Sequence, residues 1–182
     1  MPTVDDVLLL FQSRGNSQYG GEAVTQQEHA LQAATLADAE GASDALITAA
    51  LLHDVGHLLH DLPEESPEMG VDDHHEGSGY HYLNSIFPAE VTEPIRLHVA
   101  AKRYLCAVDP NYQSCLSEPS IVSLNLQGGA MSSEEVRAFD ENPHREAAVR
   151  LRRWDDEAKV ANLTTPLLSY FQPIVHSAAN PA

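Results

Sequence analysis

The sequence predicts a single all-α domain, a helical bundle, and three observations carry that expectation. Apolar residues recur at three- and four-residue spacing through most of the chain. Gly, Ser, Thr and Pro fall where helices start and stop. No segment keeps the alternation of a half-buried strand. The 182 residues are enough for one domain with a real core, and the chain shows no internal repeat and no second domain.

Val4 to Gln12 reads as a short helix, with Asp5 and Asp6 at its positive N-terminal end. Ser13 to Gly21 is a loop rich in Gly, Ser and Asn. A helix from about Thr25 to Glu40 carries Ala30, Leu31, Ala34 and Ala37 on one face and stops at Gly41. Ser43 then caps a strongly apolar helix that runs through Ala45, Ile47, Ala49, Ala50, Leu51 and Leu52 to about His57. A helix so apolar is expected at the centre of the core, with His53 and Asp54 at its buried C-terminal end. Asp61 to Asp73, acidic and broken by Pro and Gly, reads as a surface loop. Further helices are expected over Glu76–Ile86, Val91–Ala107 with Pro94 near its start, Ser120–Leu126, Ser132–Glu141 and Arg145–Val160. Ser132 and Glu135 have capping-box spacing, Asp109 to Pro119 reads as irregular, and nothing is assigned beyond Val160.

Charge is lopsided: 10 basic against 27 acidic residues give a net −17. That balance argues against binding nucleic acid or an anionic membrane, since either needs clustered Lys and Arg. Cys106 and Cys115, without CxxC spacing, read as reduced thiols of a cytoplasmic protein. No apolar run approaches the ~20 residues of a membrane span, and no signal peptide opens the chain. Nothing in the sequence fixes the oligomeric state.

The informative count is histidine. There are ten, and most fall between Val24 and Lys102. A buried carboxylate such as Asp54 costs several kcal/mol unless a cation or strong donors compensate it. Adjacent helical residues point about 100° apart, so His53 and Asp54 do not simply share one metal. A carboxylate has two oxygens, however, and Asp54 can bridge two metals while His53 binds one. His29 lies on the preceding helix, His75 and His98 near the next two, and Asp155 on the last long one. Such a set offers nitrogen and oxygen donors without thiolate, which suits iron, manganese or zinc. His74, His75 and His81 compete for one position, and so do Asp155 and Asp156. His60, His144 and His176 are expected on the surface.

The order His29, His53-Asp54, His75, His98, Asp155 resembles the HD-domain superfamily of metal-dependent enzymes, from His29 to about Lys159. The resemblance implies one HD domain over 1–182 with its metal-binding core at about 25–160. It places His29, His53, Asp54 and Asp155 on one metal and His75 and His98 on a second, with Asp54 bridging; His75-Glu76 fits the family's pattern best, and Asp155 is favoured over Asp156. Many HD proteins hydrolyse phosphate esters and carry HDxGK, whereas this chain reads His53-Asp54-Val55-Gly56-His57. A metal-dependent phosphohydrolase therefore stays as the alternative reading, and a non-catalytic metal-binding or ligand-sensing module is a third.

The surrounding motifs resemble one branch of the superfamily more closely. Tyr19-Gly20-Gly21-Glu22, Glu28-His29-Ala30-Leu31-Gln32, Glu93-Pro94-Ile95-Arg96-Leu97-His98, Lys102-Arg103-Tyr104-Leu105 and Ser123-Leu124-Asn125-Leu126-Gln127-Gly128-Gly129 are similar to those of the mixed-valent di-iron oxygenases that cleave organophosphonates. The resemblance implies two irons in an Fe2+/Fe3+ state and dioxygen as co-substrate. It implies oxidation of the hydroxyl-bearing carbon of 1-hydroxy-2-(trimethylammonio)ethylphosphonate or 2-amino-1-hydroxyethylphosphonate, releasing phosphate and glycine betaine or glycine.

A phosphonate dianion needs fixed positive charge in so acidic a protein. Lys102 lies four residues after His98, Arg152 three before Asp155, and His57 four after His53, each about one helical turn from a candidate ligand. Ordinary surface ion pairing is the competing account of Lys102 and Arg152. Ser120 matches a phosphonate-contacting hydroxyl of the family, while Ser123 stands where one enzyme type has an amide. The resemblance makes Tyr19 a group that occupies an iron position until substrate displaces it, and Glu22 the partner of the substrate's amine. The small Ser123 and the overall acidity lean the expectation towards the trimethylated substrate.

Overall fold

The computed structural model describes residues 2–60, 70 and 73–180, and among these every regular element is helical. The expected loop over Asp61–Asp73 lies outside the described residues apart from Gly70 and Asp73. Three N-termini carry full capping boxes, in which a hydroxyl and an acid satisfy two free backbone donors reciprocally. Thr3 with Asp6 opens α1 (Val4–Arg14), Thr25 with Glu28 opens α2 (Gln26–Ala39), and Ser132 with Glu135 opens α7 (Ser133–Asp140). Ser43 caps α3 (Asp44–Leu52), and Ser117 caps α6 (Glu118–Leu126). The others are α4 (His75–Leu83), α5 (Ala89–Val108), α8 (Arg145–Glu157) and α9 (Leu168–Ala178), with 3-10 turns at Val55–Leu58 and Tyr112–Cys115.

α3 is the centre. Leu46 through Leu52 are all buried, so it presents apolar surface in every direction and packs on α2, α5, α8 and α9. It is shorter than the sequence suggests. The α-helix stops at Leu52, and His53 and Asp54 lead into the 3-10 turn that holds His57. His57 is therefore not one α-helical turn from His53. α5 begins at Ala89, which puts Pro94 beyond the first turn, and α8 ends at Glu157 rather than Val160.

α9 is the element that sequence reading missed. Pro173 lies inside it, which discourages a helical assignment. Yet Leu168, Phe171, Val175 and Ala178 follow helical spacing and are buried against α3 and α1. No helix among the described residues is long and apolar enough to cross a membrane.

Gly56 fixes how closely the 3-10 turn approaches the start of α4. A Cβ there would lie 2.0 Å from the His75 carbonyl oxygen and 2.8 Å from its Cα. Backbone would have to move, and overpacking of this kind costs about 1–3 kcal/mol. Gly77, whose Cβ would meet nothing, is the control. Gly56→Ala is expected to lower the thermal midpoint by roughly 4–10 °C while Gly77→Ala leaves it unchanged or raised, as read by calorimetry.

Candidate metal centre and anion pocket

The Asp54 carboxylate stands between two pairs of imidazoles. Its Oδ2 lies 3.5 Å from His29 Nε2 and 3.3 Å from His53 Nε2. Its Oδ1 lies 3.4 Å from both His75 Nε2 and His98 Nε2. Within the pairs, the Nε2 atoms of His29 and His53 face each other at 3.1 Å, and those of His75 and His98 at 3.2 Å. Asp155 Oδ1 joins the first pair, 3.3 Å from His29 and 3.8 Å from His53.

The other ring nitrogens are engaged. Nδ1 of His29 donates to the Ala158 carbonyl (2.8 Å), that of His53 to Ala50 (2.9 Å) and that of His98 to Ile95 (2.7 Å). Nδ1 of His75 donates to Asp73 Oδ1 at 2.9 Å. A carbonyl only accepts, so each Nδ1 carries the proton and each Nε2 points a lone pair inward. Two lone pairs at that separation require a cation between them. Both oxygens of Asp54 and Oδ1 of Asp155 are likewise buried without a hydrogen-bond partner.

Protons fill this role when no metal is bound. Against burial, which lowers it, the Asp54 carboxylate raises His53 to about 10. Burial is likewise overcome at His75, where Asp73 and Asp54 raise the ring to about 9. The donor set fits metal ions in two groups sharing Asp54: His29, His53, Asp54 and Asp155, and Asp54, His75 and His98.

Among the competing residues, His75 is buried in the cluster while His74 and His81 are exposed. Asp156 turns away from it, taking hydrogen bonds from Arg152 and Tyr112. His57 stacks on His75 at 4.0 Å, with its Nδ1 2.6 Å from Asp73 Oδ2. Tyr19, on a turn made possible by positive φ at Gly20 and Gly21, stacks on His29 at 3.9 Å. Burial and the nearby Asp54 and Asp155 carboxylates push its phenol well above the ordinary value.

The expected cations lie close to this cluster. Lys102 is buried, and its Nζ donates to Ser123 Oγ at 2.8 Å. Burial, then the Arg152 guanidinium, lowers it to about 7. Arg152 is committed to acceptors of its own chain: Asp155 Oδ2 at 2.8 Å, Asp156, and the Tyr112 hydroxyl at 3.1 Å. Ser120 Oγ accepts from Lys159 Nζ at 2.8 Å, and Glu22 pairs with Lys159 at 3.3 Å and accepts from Ser117.

Three neighbours of the cluster were not legible as such. Asp73 ties together His57, His60 and His75, so His60 is not the plain surface residue expected of it. Tyr112 and Lys159 approach from outside the spaced motifs. The capping box of Thr25 with Glu28, immediately before His29, is a local signal that could have marked the start of the first ligand-bearing helix.

An all-α fold that converges histidines and aspartates on a shared carboxylate defines a histidine–aspartate metal protein. The HD domain family profile matches residues 27–118, and the chain belongs to that family. It is 44% identical, over 91% of its length and 85% of the relative's, to 1-hydroxy-2-(trimethylamino)ethyl phosphonate dioxygenase (glycine-betaine-forming) of Leisingera caerulea. It is 48% identical, over 96% of its length and 87% of the relative's, to hydroxymethylphosphonate dioxygenase of Gimesia maris.

Because His53 and His75 hold protons in the metal-free chain, metal binding must release them, and affinity is expected to rise with pH between 6 and 8. A metal that binds only the folded chain adds about 2.7 kcal/mol at a hundredfold excess over its Kd. Calorimetry with Fe2+, Mn2+ or Zn2+ against a chelated control should show that gain. Asp54→Ala should abolish most of it, and an undiminished gain would move the metals elsewhere.

Proposed function

We propose that the chain is an oxygen-dependent enzyme that cleaves the C–P bond of a 1-hydroxyphosphonate, releasing phosphate and a carboxylate. The observation that carries this reading is the bridging carboxylate Asp54 beside buried cations, in a chain similar over nearly its whole length to two phosphonate dioxygenases. The balance is simple for the smallest case: hydroxymethylphosphonic acid and dioxygen give formic and phosphoric acids. The C–P bond breaks, carbon is oxidised and dioxygen is reduced.

In this reading His29, His53, Asp54 and Asp155 hold one metal, and Asp54, His75 and His98 the other. Two irons in the Fe2+/Fe3+ state would activate dioxygen and pass to it the electrons that the substrate loses. The chain's own side chains do the rest. Lys102, with Ser120, Ser123 and His57 around the site, receives the phosphonate. Arg152 holds Asp155 in place and contributes its charge to the same wall. Tyr19, lying flat on His29, covers the centre until substrate enters. The hydrolase alternative lacks the lysine of HDxGK, since His57 stands there and is hydrogen-bonded to Asp73.

The decisive test is anaerobic reconstitution with iron, then oxygen and a panel of 1-hydroxyphosphonates. One phosphate released per dioxygen consumed is expected. Phosphate released without oxygen from a phosphate ester would establish the hydrolase instead.

Lys102 adds a pH signature. With its free value near 7, the ammonium is lost as pH rises, and an anion then finds less charge. The ratio of KM for the wild type to KM for Lys102→Arg, which stays charged, is expected to climb from pH 6.5 to 8.5. Taking the ratio cancels the substrate's own titration, and a flat ratio would remove Lys102 from the anion site.

A further inference from the structure

Lys159 lies two residues past the end of α8, and neither the metal cluster nor the motifs that flag the site account for it. Its side chain is 11% exposed. The ammonium donates to Ser120 Oγ at 2.8 Å and lies 3.5 Å from Ser117 Oγ. It is 3.3 Å from Glu22 Oε1 and 5.9 Å from the centre of the Tyr19 ring, which in turn stacks on His29. The ammonium thus sits inside the wall formed by the Tyr19–Glu22 turn and α6, next to the metal cluster.

On this wall the acids already have their cations. Asp156 has Arg152, and Glu22 has Lys159. A substrate carrying an ammonium group towards the Tyr19–Glu22 turn would meet a carboxylate already neutralised and, beside it, a like charge. A substrate with only hydrogen on that carbon meets neither penalty. The relatives span this difference: one is named for a trimethylamino substrate, the other for hydroxymethylphosphonate, which has no amine.

We propose that Lys159 is a specificity-determining residue whose ammonium takes the place of a substrate cation in front of Glu22. The chain accordingly favours small, uncharged-tail hydroxyphosphonates such as hydroxymethylphosphonate. This rests on the C–P-cleaving reading above and reverses the leaning towards the trimethylated substrate.

The test compares phosphate release from hydroxymethylphosphonate and from 1-hydroxy-2-(trimethylammonio)ethylphosphonate by the iron-loaded enzyme. The wild type is expected to favour the former at least tenfold in kcat/KM. Lys159→Met should shift that ratio at least tenfold towards the cationic substrate, and Lys159→Arg should keep the wild-type preference. A wild type that prefers the cationic substrate overturns the proposal, as does a Lys159→Met enzyme that loses both activities equally. If no hydroxyphosphonate yields phosphate, the C–P-cleaving reading has failed. The Lys159 proposal is then decided by binding, with methylphosphonate and 2-(trimethylammonio)ethylphosphonate titrated into the metal-loaded protein: tighter binding of methylphosphonate, reversed in Lys159→Met, supports it, and equal binding refutes it.

Discussion

A single buried carboxylate sets the terms for the rest of the structure. Asp54 is 6% exposed and offers both oxygens to histidine nitrogens without a hydrogen-bond donor on either. An ion so placed is costly unless cations face it. The fold meets that condition just after the end of its most apolar helix, which stops at Leu52. Within a continuous helix, His53 and Asp54 would point about 100° apart. Here α3 stops at Leu52, Asp54 takes φ −102° and ψ 13°, and His53 Nε2 lies 3.3 Å from Asp54 Oδ2.

The same logic orients the imidazoles. Three of the four present Nδ1 to backbone carbonyls, and one of these, Ala158, is the C-cap of α8, where carbonyls lack helical donors. The rings therefore inherit their direction from secondary structure rather than from side chains that must be positioned in turn. Asp73 performs this task for His75, and Gly56 lets the His75 backbone come close enough for Asp54 to reach it. The position of α3 depends in turn on α9, whose Phe171 and Val175 cover its far side.

How much of this was legible follows from the same physics. Ligand types in order along helices are visible in a sequence because each sits at a helix terminus or on a periodic face; His29, His53-Asp54, His98 and Asp155 are of that kind. Contacts made through the ends of loops are not. Asp73 closes a stretch with no periodicity, Lys159 follows a helix whose end lies three residues before the position its pattern suggests, and Tyr112 lies on a 3-10 turn inside a segment read as irregular. α9 was hidden by Pro173, although its apolar spacing was intact. His60 shows the opposite case: a residue outside every pattern that Asp73 draws into the site.

The charge distribution is what the proposed anion site requires of so acidic a chain. With a net −17, and with Asp54 and Asp155 needed for metals, a dianion would be repelled unless the sign were reversed locally. Three of the ten basic residues are buried or nearly so at this one place: Lys102, Arg152 and Lys159. They differ in what holds them. Arg152 is bound by two carboxylates, so much of its field is spent on its own chain. Lys159 shares its charge with Glu22. Lys102 is held by a neutral hydroxyl, Ser123, which fixes its position without cancelling its charge. Burial strengthens any interaction it makes and at the same time loosens its proton, so its full charge is restored when an anion arrives. In the proposed reading, Lys102 would gain most from a phosphonate, Lys159 would govern what the phosphonate is attached to, and Arg152, paired with Asp155, would keep that carboxylate in place for a metal.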